Sequence, residues 1–226
     1  LQAKRPNIIF ILADDLGWAE LGCYGNRFNE TPHLDRLAKR GLRFTHAYAS
    51  APVCSPYRAA FLTGQYPARV GILDYLRPNS ENGLSTDQIT LPERLRDAGY
   101  ATGMIGKWHI GFREGLRPHE RGFDFTYVFH SGARSYYPKT KNGDPLYRNG
   151  IRVAKEPAYL TDAFAAESAN FIKQNRNDPF FLYLAFNAVH TPMEATNKYL
   201  KRFPNIKDRK RKAMAGMLSA MDDAVG

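Results

Sequence analysis

Two adjacent carboxylates, Asp14 and Asp15, directly follow the apolar run NIIFILA at residues 7–13. Like charges side by side repel each other, so both ionise readily only near a cation. Ca²⁺ and Mg²⁺ prefer carboxylate oxygens as ligands. An isolated Asp-Asp pair is more often a turn cap beside a solvated neighbour, but at the end of a buried strand we favour a site for a hard metal ion.

Cys54 opens the stretch CSPYRAAFLTG, whose residue types predict a short helix ended by glycine. Ser55 suits the N-cap and Pro56 the first helical position, which would place Cys54 just outside the helix. The unpaired N–H groups and the helix dipole at that place lower the pKa of a thiol and attract anions. A buried structural cysteine and a disulfide with Cys23 stay open as alternatives.

Cationic and imidazole side chains complete the set of candidate residues. Arg58 follows Cys54 by one helical turn, within reach of an anion at the helix mouth. Lys107 and His109 flank a tryptophan in GKWHIG, and alternate residues of an extended segment share one side, so the pair would bind an anion and move a proton. His190 ends the apolar run FFLYLAFNAV. Taken singly, a surface arginine and structural histidines remain the alternatives.

Together, these candidates suit one kind of chemistry. They provide a hard metal ion, an activated residue at a helix N-terminus, several cations and two histidines. They favour attack on a tetrahedral oxyanion ester, either a sulfate or a phosphate. The chain has neither the HExxH and CxxC spacings of zinc sites nor a Walker loop for nucleotides.

Alternating strands and helices are predicted to position these residues. Apolar runs predict strands over residues 7–13, 42–49, 101–111 and 179–190. Caps, apolar spacing and terminal glycines predict helices over residues 31–41, 56–64, 90–100, 160–175 and 206–226. This alternation predicts an α/β fold with a largely parallel central sheet flanked by helices. Ligands of such sheets bind beyond the carboxyl ends of the strands, where the candidate residues lie.

Residues 112–150 are rich in Gly, Pro, Arg and Tyr, and we expect a surface excursion with a hairpin around Asn149-Gly150. Its aromatic and basic residues would suit a sulfated sugar, although a variable surface loop is an equal alternative. The net charge of +10 favours anionic partners, and much of it lies in the run KRFPNIKDRKRK at residues 201–212. We interpret that run as a solvated helix entrance or loop, and no motif predicts a nucleic-acid partner. No apolar run reaches the length of a membrane span.

Four blocks of the sequence resemble the formylglycine-dependent type I sulfatases, a family with an alkaline-phosphatase-like fold. RPNIIFILADDLGW is similar to the opening strand and metal loop of that family, and CSPYRAAFLTG to its Cys-x-Pro-x-Arg signature. GKWHIG and NAVHTP are similar to its Gly-Lys-Trp-His-Leu-Gly block and its His-Thr-Pro element. Tyr57 occupies the variable position of the signature, where a small residue is common. The blocks occur in the order that the family has them.

The resemblance covers essentially the whole chain but stops before further elements of the family. The family's remaining metal ligands are an Asp-Asn or Asp-Gln pair, which lies downstream of SAMDDAVG together with a further sulfate-binding lysine. Asp222-Asp223 is not that pair of ligands. We therefore expect residues 1–226 to form the N-terminal part of a sulfatase catalytic domain, without the rest of the sheet and the C-terminal subdomain. Some apolar core would then be exposed.

The resemblance implies a nucleophile that no genetically encoded residue provides. A maturation enzyme would oxidise Cys54 to formylglycine, and one oxygen of the hydrated aldehyde would attack sulfur. Asp14, Asp15 and the modified Cys54 would ligate Ca²⁺, in preference to Mg²⁺. Arg58 would stabilise the hydrate, and Lys107 would contact the sulfate.

The resemblance also implies how protons move. His109 would accept the proton of the second hydroxyl as the aldehyde reforms, and His190 would protonate the departing alcohol. The implied function is a sulfuric ester hydrolase acting on a sulfated small molecule or glycan, in the periplasm or outside the cell. A phosphonate or phosphate monoester hydrolase of the same fold, and an inactive anion-binding fragment, are the alternatives. No feature predicts an oligomeric state.

Overall fold

One six-stranded sheet organises the protein, and a computed structural model describes residues 5–78, 80–138 and 144–226. The strands are β1 (Ile8–Leu12), β2 (Ala101–Lys107), β3 (Phe125–Phe129), β4 (Tyr147–Arg148), β5 (Ile151–Arg152) and β6 (Phe180–Ala185). The helices are α1 (Pro32–Arg40), α2 (Cys54–Thr63), α3 (Leu91–Asp97), α4 (Leu160–Gln174), α5 (Asn197–Leu200) and α6 (Arg209–Val225). The spatial order is β1-β6-β2-β3-β4-β5. Because the first four run parallel, the predicted α/β fold is confirmed.

Strand β6 lies between β1 and β2 in the sheet and is buried along its whole length, as predicted. Its side chains point alternately into two apolar layers. One layer lies under α4 and α6, and the other under α2 and α3. Each large apolar side chain buried in this way contributes about 1.5–3 kcal/mol to folding. The sheet is therefore a rigid platform for residues at its strand ends.

Gly106 allows β2 to pack closely against β6, one residue before Lys107. A Cβ atom at Gly106 would lie 1.9 Å from the carbonyl oxygen of Ala185, and its φ of +114° is unfavourable for other residues. This glycine therefore fixes where the end of β2 lies relative to β6.

The structure corrects two of the strand predictions. β1 is an edge strand among the described residues, and its Ile9 is 47% exposed, so it is not buried on both faces. Residues 42–49 form no strand and are exposed throughout. Although this segment has the β-forming residues of a strand, no strand within the described ranges pairs with it.

The region at residues 112–150 is not only a surface excursion, because it contains the largely buried strand β3. This strand was not predicted, because Gly, Pro and Arg residues surround its apolar stretch FTYVF. The predicted hairpin is confirmed: β4 and β5 pair antiparallel, with positive φ angles at Asn149 and Gly150. Residues 139–143 of this region lie outside the described part of the chain.

Helix starts are fixed by both local and distant caps. Thr90 caps α3, as the sequence predicts, and Glu93 completes a capping box with it. Thr31, in contrast, makes no side-chain cap on α1. The buried carboxylate of Asp222 on α6 instead accepts hydrogen bonds from the backbone N–H groups of His33 and Leu34, at 3.0 and 2.8 Å. Among the described residues, none of the helices combines the length and apolar character needed to cross a membrane.

Candidate active site

The carboxyl ends of three parallel strands bring candidate residues together. Asp14 follows β1, Lys107 ends β2, and His190 follows β6. The pairing of β1 with β6 continues past both strands, because the N–H of Asp14 donates to Ala188 and its carbonyl accepts from Val189. This backbone pairing holds Asp14 in place. The predicted convergence at one sheet edge is therefore found for three strands.

Cys54 and Arg58 reach the same edge on α2 rather than on a strand end. α2 begins at Cys54 with Val53 as its N-cap, so the prediction of Ser55 as N-cap was wrong by two residues. The hydroxyl of Ser55 instead accepts a hydrogen bond from the N–H of Leu76 at 3.0 Å. Cys54 is half-buried in the first turn, and neither it nor Cys23 is in a disulfide.

Arg58, Asp14 and Lys107 form a buried charge cluster behind Cys54. Oδ2 of Asp14 accepts from Nη2 of Arg58 at 3.0 Å and from Nζ of Lys107 at 2.5 Å. Arg58 also donates to the carbonyl oxygen of Lys107 at 2.6 Å. Arg58 is therefore not a surface arginine, and one carboxylate holds two buried cations.

The charges in this cluster determine how its members ionise. Burial alone would raise the pKa of Asp14, but the charges of Arg58 and Lys107 outweigh it and hold the pKa below 3.8. Burial, followed by the charge of Arg58, lowers the pKa of Lys107. A negative charge on Cys54 would raise the pKa of both cations, so its side chain lies within their electrostatic reach.

His109 is held in one tautomer by the loop that precedes α3. Its Nε2 lies 2.8 Å from the carbonyl oxygen of Leu76, which can only accept, so Nε2 carries the proton. Nδ1 is therefore an acceptor, and it is buried without a hydrogen-bond partner among the described residues. Burial and then the charge of Lys107 lower the pKa of His109 to about 4. The imidazole is thus neutral at pH 7.

His190 and Asp15 form a second, more exposed pair. Nδ1 of His190 lies 2.7 Å from the carbonyl oxygen of Thr191, so this nitrogen is the donor. Nε2 lies 3.7 Å from Oδ2 of Asp15, whose side chain is 66% exposed. This arrangement leaves Nε2 directed towards a carboxylate at the protein surface, where it forms an ion pair when the ring is protonated. Asp15 has a φ of 60°, which lies in the left-handed region. Such backbone strain is often found at functional sites.

Two cavities meet at Cys54. The catalytic cavity, of about 470 Å³, is lined by Asp15, Cys54, His109 and His190, together with Tyr75, Leu76 and residues 131–133. The second cavity, of about 550 Å³, is lined by Asp14, Asp15, Cys54 and Arg58 with residues 47–49 and 51–53. Lys107 lines neither cavity, because Asp14 and Arg58 cover it. The predicted contact between Lys107 and a bound anion remains a prediction.

The carboxylates of Asp14 and Asp15 suit a calcium ion in part. Both line the second cavity with Cys54, and carboxylate oxygens are the ligands that Ca²⁺ prefers. Calcium takes six to eight oxygen ligands, so further ligands must join these two residues. Among the described residues, three ligand atoms lie within 4.8 Å of one another only at His33, Asp222 and Asp223. Because Asp222 caps α1 and Asp223 pairs with Arg202, that cluster has a structural explanation.

Several positioning residues have no signal in the sequence. Leu76 acts through its backbone, bridging Ser55 to His109. Tyr136 is buried, and its hydroxyl lies 2.6 and 2.8 Å from the carbonyl oxygens of Asn187 and His190. These contacts join segments far apart in sequence, so no local spacing could predict them.

Gly132 offers a test of how tightly the ring of His109 must be placed. A Cβ atom at Gly132 would lie 2.5 Å from Cε1 of His109, too close for both groups to stay in place. We expect Gly132→Ala to displace the imidazole and to lower kcat about 100-fold. Steady-state kinetics and a thermal melt check this against Gly41→Ala, whose Cβ meets its nearest atom at an ordinary 3.4 Å. Unchanged kcat in Gly132→Ala would argue against a role for the ring's position.

The fold and the site define an α/β protein with a carboxylate-bearing, cationic cavity at its strand ends. The sulfatase family model matches residues 6–226, and the chain belongs to that family. It is 35% identical over 233 residues to arylsulfatase J of Mus musculus, covering 98% of this chain and 39% of that protein. It is 38% identical over 220 residues to N-acetylgalactosamine-6-sulfatase of Homo sapiens, covering 87% of this chain and 42% of that protein.

A solved structure matches the whole fold. The crystal structure of Ps i-CgsB in complex with k-i-k-neocarrahexaose superposes with a TM-score of 0.94 at 41% identity. The match covers 99% of this chain and 54% of that one. The chain therefore spans less than half the length of the two curated relatives and about half of the solved chain.

Proposed function

We propose that the protein is a sulfuric ester hydrolase that removes sulfate from a sulfated sugar. The observation that carries this proposal is that Cys54, at the start of α2, and His109 line the same cavity, and that Nδ1 of His109 has no hydrogen-bond partner among the described residues. Family membership supports sulfate esters as the substrate class. The names of the relatives and the hexasaccharide bound to Ps i-CgsB support a sugar as the esterified alcohol.

Cys54 is the proposed nucleophilic position, after a maturation enzyme has oxidised it to formylglycine. Its place in the first turn of α2 supports this, since the free N–H groups there favour an anionic group beside it. Asp14 and Asp15 would contribute ligands to Ca²⁺, which would supply positive charge against the bound sulfate when present.

The chain's own side chains account for charge and proton movement. Arg58 and Lys107 place two positive charges near residue 54, which stabilise negative charge that develops there. His109 accepts a proton at Nδ1, because Nε2 is already committed to Leu76. His190 donates a proton from Nε2 to the leaving alcohol, and Nε2 lies 3.7 Å from Oδ2 of Asp15.

The proposed role of His190 predicts a dependence on the leaving group. A poor leaving group needs a proton in the transition state, whereas an activated phenol does not. We expect His190→Ala to lower kcat/KM by about 10²–10⁴-fold for a sulfated sugar and far less for 4-nitrophenyl sulfate. Kinetics with both substrates check this. Equal losses would indicate that His190 only binds substrate.

Parallel assays test the reaction class itself. We expect hydrolysis of 4-nitrophenyl sulfate to exceed that of 4-nitrophenyl phenylphosphonate at equal concentration. A dominant phosphonate activity would replace the proposed function with that of a phosphonate monoester hydrolase. No turnover of either compound, with residue 54 oxidised and calcium present, would indicate an anion-binding protein.

A further inference from the structure

A third cavity, which has a strong positive charge, lies outside the site described above. This basic cavity, of about 770 Å³, lies beside α5 and the start of α6. Its lining combines cations, an aromatic ring and apolar side chains: Tyr137, Met193, Glu194, Ala195, Asn197, Leu200, Lys201, Arg209, Lys210, Lys212 and Ala213. All four of its cations belong to the basic run at residues 201–212, which we interpreted as a solvated helix entrance or loop.

The four cations of the basic cavity lack ionic partners. Among the described residues, no carboxylate lies within salt-bridge distance of Lys201, Arg209, Lys210 or Lys212, whereas the neighbouring Arg202 and Arg211 are both paired. The one carboxylate in the described lining belongs to Glu194. Four cations against that carboxylate leave a net charge of +3, which favours an anionic ligand.

The carboxylate of Glu194 makes structural hydrogen bonds rather than ion pairs with the cations around it. Its Oε2 accepts hydrogen bonds from the hydroxyl of Ser135 at 2.7 Å and from the N–H of Tyr136 at 2.8 Å. These bonds join the segment after β3 to the segment after β6. The carboxylate is thus satisfied by other donors, and the positive charge of the basic cavity stays available.

Two chain segments connect the basic cavity to the catalytic cavity. Residues 131–133 and His190 line the catalytic cavity, whereas Tyr137 and Met193 line the basic one. His190 and Met193 are three positions apart in the sequence, which limits the distance between their Cα atoms to about 11 Å. A short oligosaccharide covers that distance.

We propose that the basic cavity binds a second sulfate group of a multiply sulfated oligosaccharide whose scissile sulfate lies in the catalytic cavity. This proposal rests on the proposed function and narrows its substrate class. Lys201, Lys210 and Lys212 would hold the second sulfate, and the half-buried ring of Tyr137 offers a face for a sugar. A concave site with one ring, beside the catalytic cavity, suits a glycan better than the extended surface that nucleic acids need.

The test removes the charge of three lysines and leaves Arg209, the first residue of α6, in place. The variant is Lys201→Gln/Lys210→Gln/Lys212→Gln. A matched control, Lys39→Gln/Lys173→Gln/Arg176→Gln, removes the same charge from exposed positions elsewhere. With k-i-k-neocarrahexaose, we expect KM of the first variant to rise about tenfold relative to the control, as three screened charge contacts are lost. We expect unchanged kcat, unchanged KM for 4-nitrophenyl sulfate, and a smaller difference at 1 M salt.

Calorimetric binding of the hexasaccharide separates this proposal from the proposed function. If the wild-type protein hydrolyses no sulfate ester, the proposed function fails, but weaker binding by the lysine variant than by the control still supports the basic cavity. Equal KM or equal binding in the two variants would overturn it. Tighter binding of a DNA duplex than of the hexasaccharide, lost in the lysine variant, would also overturn it and assign the surface to nucleic acid.

Discussion

Cys54→Ala should lower kcat for 4-nitrophenyl sulfate by about 10⁴-fold or more, because it removes the proposed nucleophilic position. The fold should persist, since the half-buried side chain is replaced by a good helix former in the first turn of α2. Cys54→Ser should be equally inactive in a host whose maturation enzyme does not oxidise serine. Kinetics and a thermal melt on the same preparations measure both effects.

Cys23 provides the matched control for this substitution. It is the other free and half-buried cysteine, and it lies outside both cavities at Cys54. Cys23→Ala should keep kcat within about twofold of wild type, the scale of a surface change of ±0.5 kcal/mol. If both substitutions reduced kcat alike, a general effect on folding would explain the loss and Cys54 would have no special role.

Asp14→Ala should have the largest effect on stability, lowering the free energy of unfolding by about 3–5 kcal/mol. The substitution leaves the side chains of Arg58 and Lys107 buried without their shared carboxylate. Asp15→Ala removes an adjacent carboxylate that is 66% exposed, and it should change stability by no more than about 0.5 kcal/mol. Both variants should lose activity, since both carboxylates are proposed calcium ligands.

Urea unfolding at several pH values measures this difference. The pKa of Asp14 is lowered in the folded state, so its stabilising contribution is fully present above the ordinary value of 3.8 and is lost as the pH falls further. The stability gap between wild type and Asp14→Ala should therefore shrink below about pH 4. Equal stability of Asp14→Ala and Asp15→Ala at pH 7 would contradict the buried charge cluster.

Sequence patterns predicted those parts of the fold that depend on interactions between residues close together in the sequence. The N-cap at Thr90 and the turn at Asn149-Gly150 are fixed by neighbouring residues, and both were predicted correctly. The segment 42–49 has the composition of a strand but pairs with no strand in the described part of the chain, and composition cannot reveal a missing partner. In the same way, the cap that Asp222 provides for α1 depends on a contact across most of the chain.

In the candidate site, too, local patterns predicted some features, whereas contacts between distant segments could not be predicted. Residue types and strand ends were enough to select Asp14, Lys107 and His190, because the carboxyl ends of parallel strands meet at one edge. The sequence could not reveal that Asp14 holds two buried cations, or that Leu76 fixes the tautomer of His109. Those contacts determine which atom of each residue is free to react.

The central claim is that residue 54 reacts as formylglycine, and mass spectrometry of the active protein tests it most directly. The conversion replaces sulfur with oxygen and removes two hydrogens, so a peptide containing residue 54 becomes lighter and reacts with hydrazides. We predict that the converted fraction of this peptide rises and falls with kcat across preparations made with and without the maturation enzyme. Full sulfatase activity with Cys54 entirely unmodified would contradict the claim and would leave a thiolate or a metal hydroxide as the candidate nucleophile.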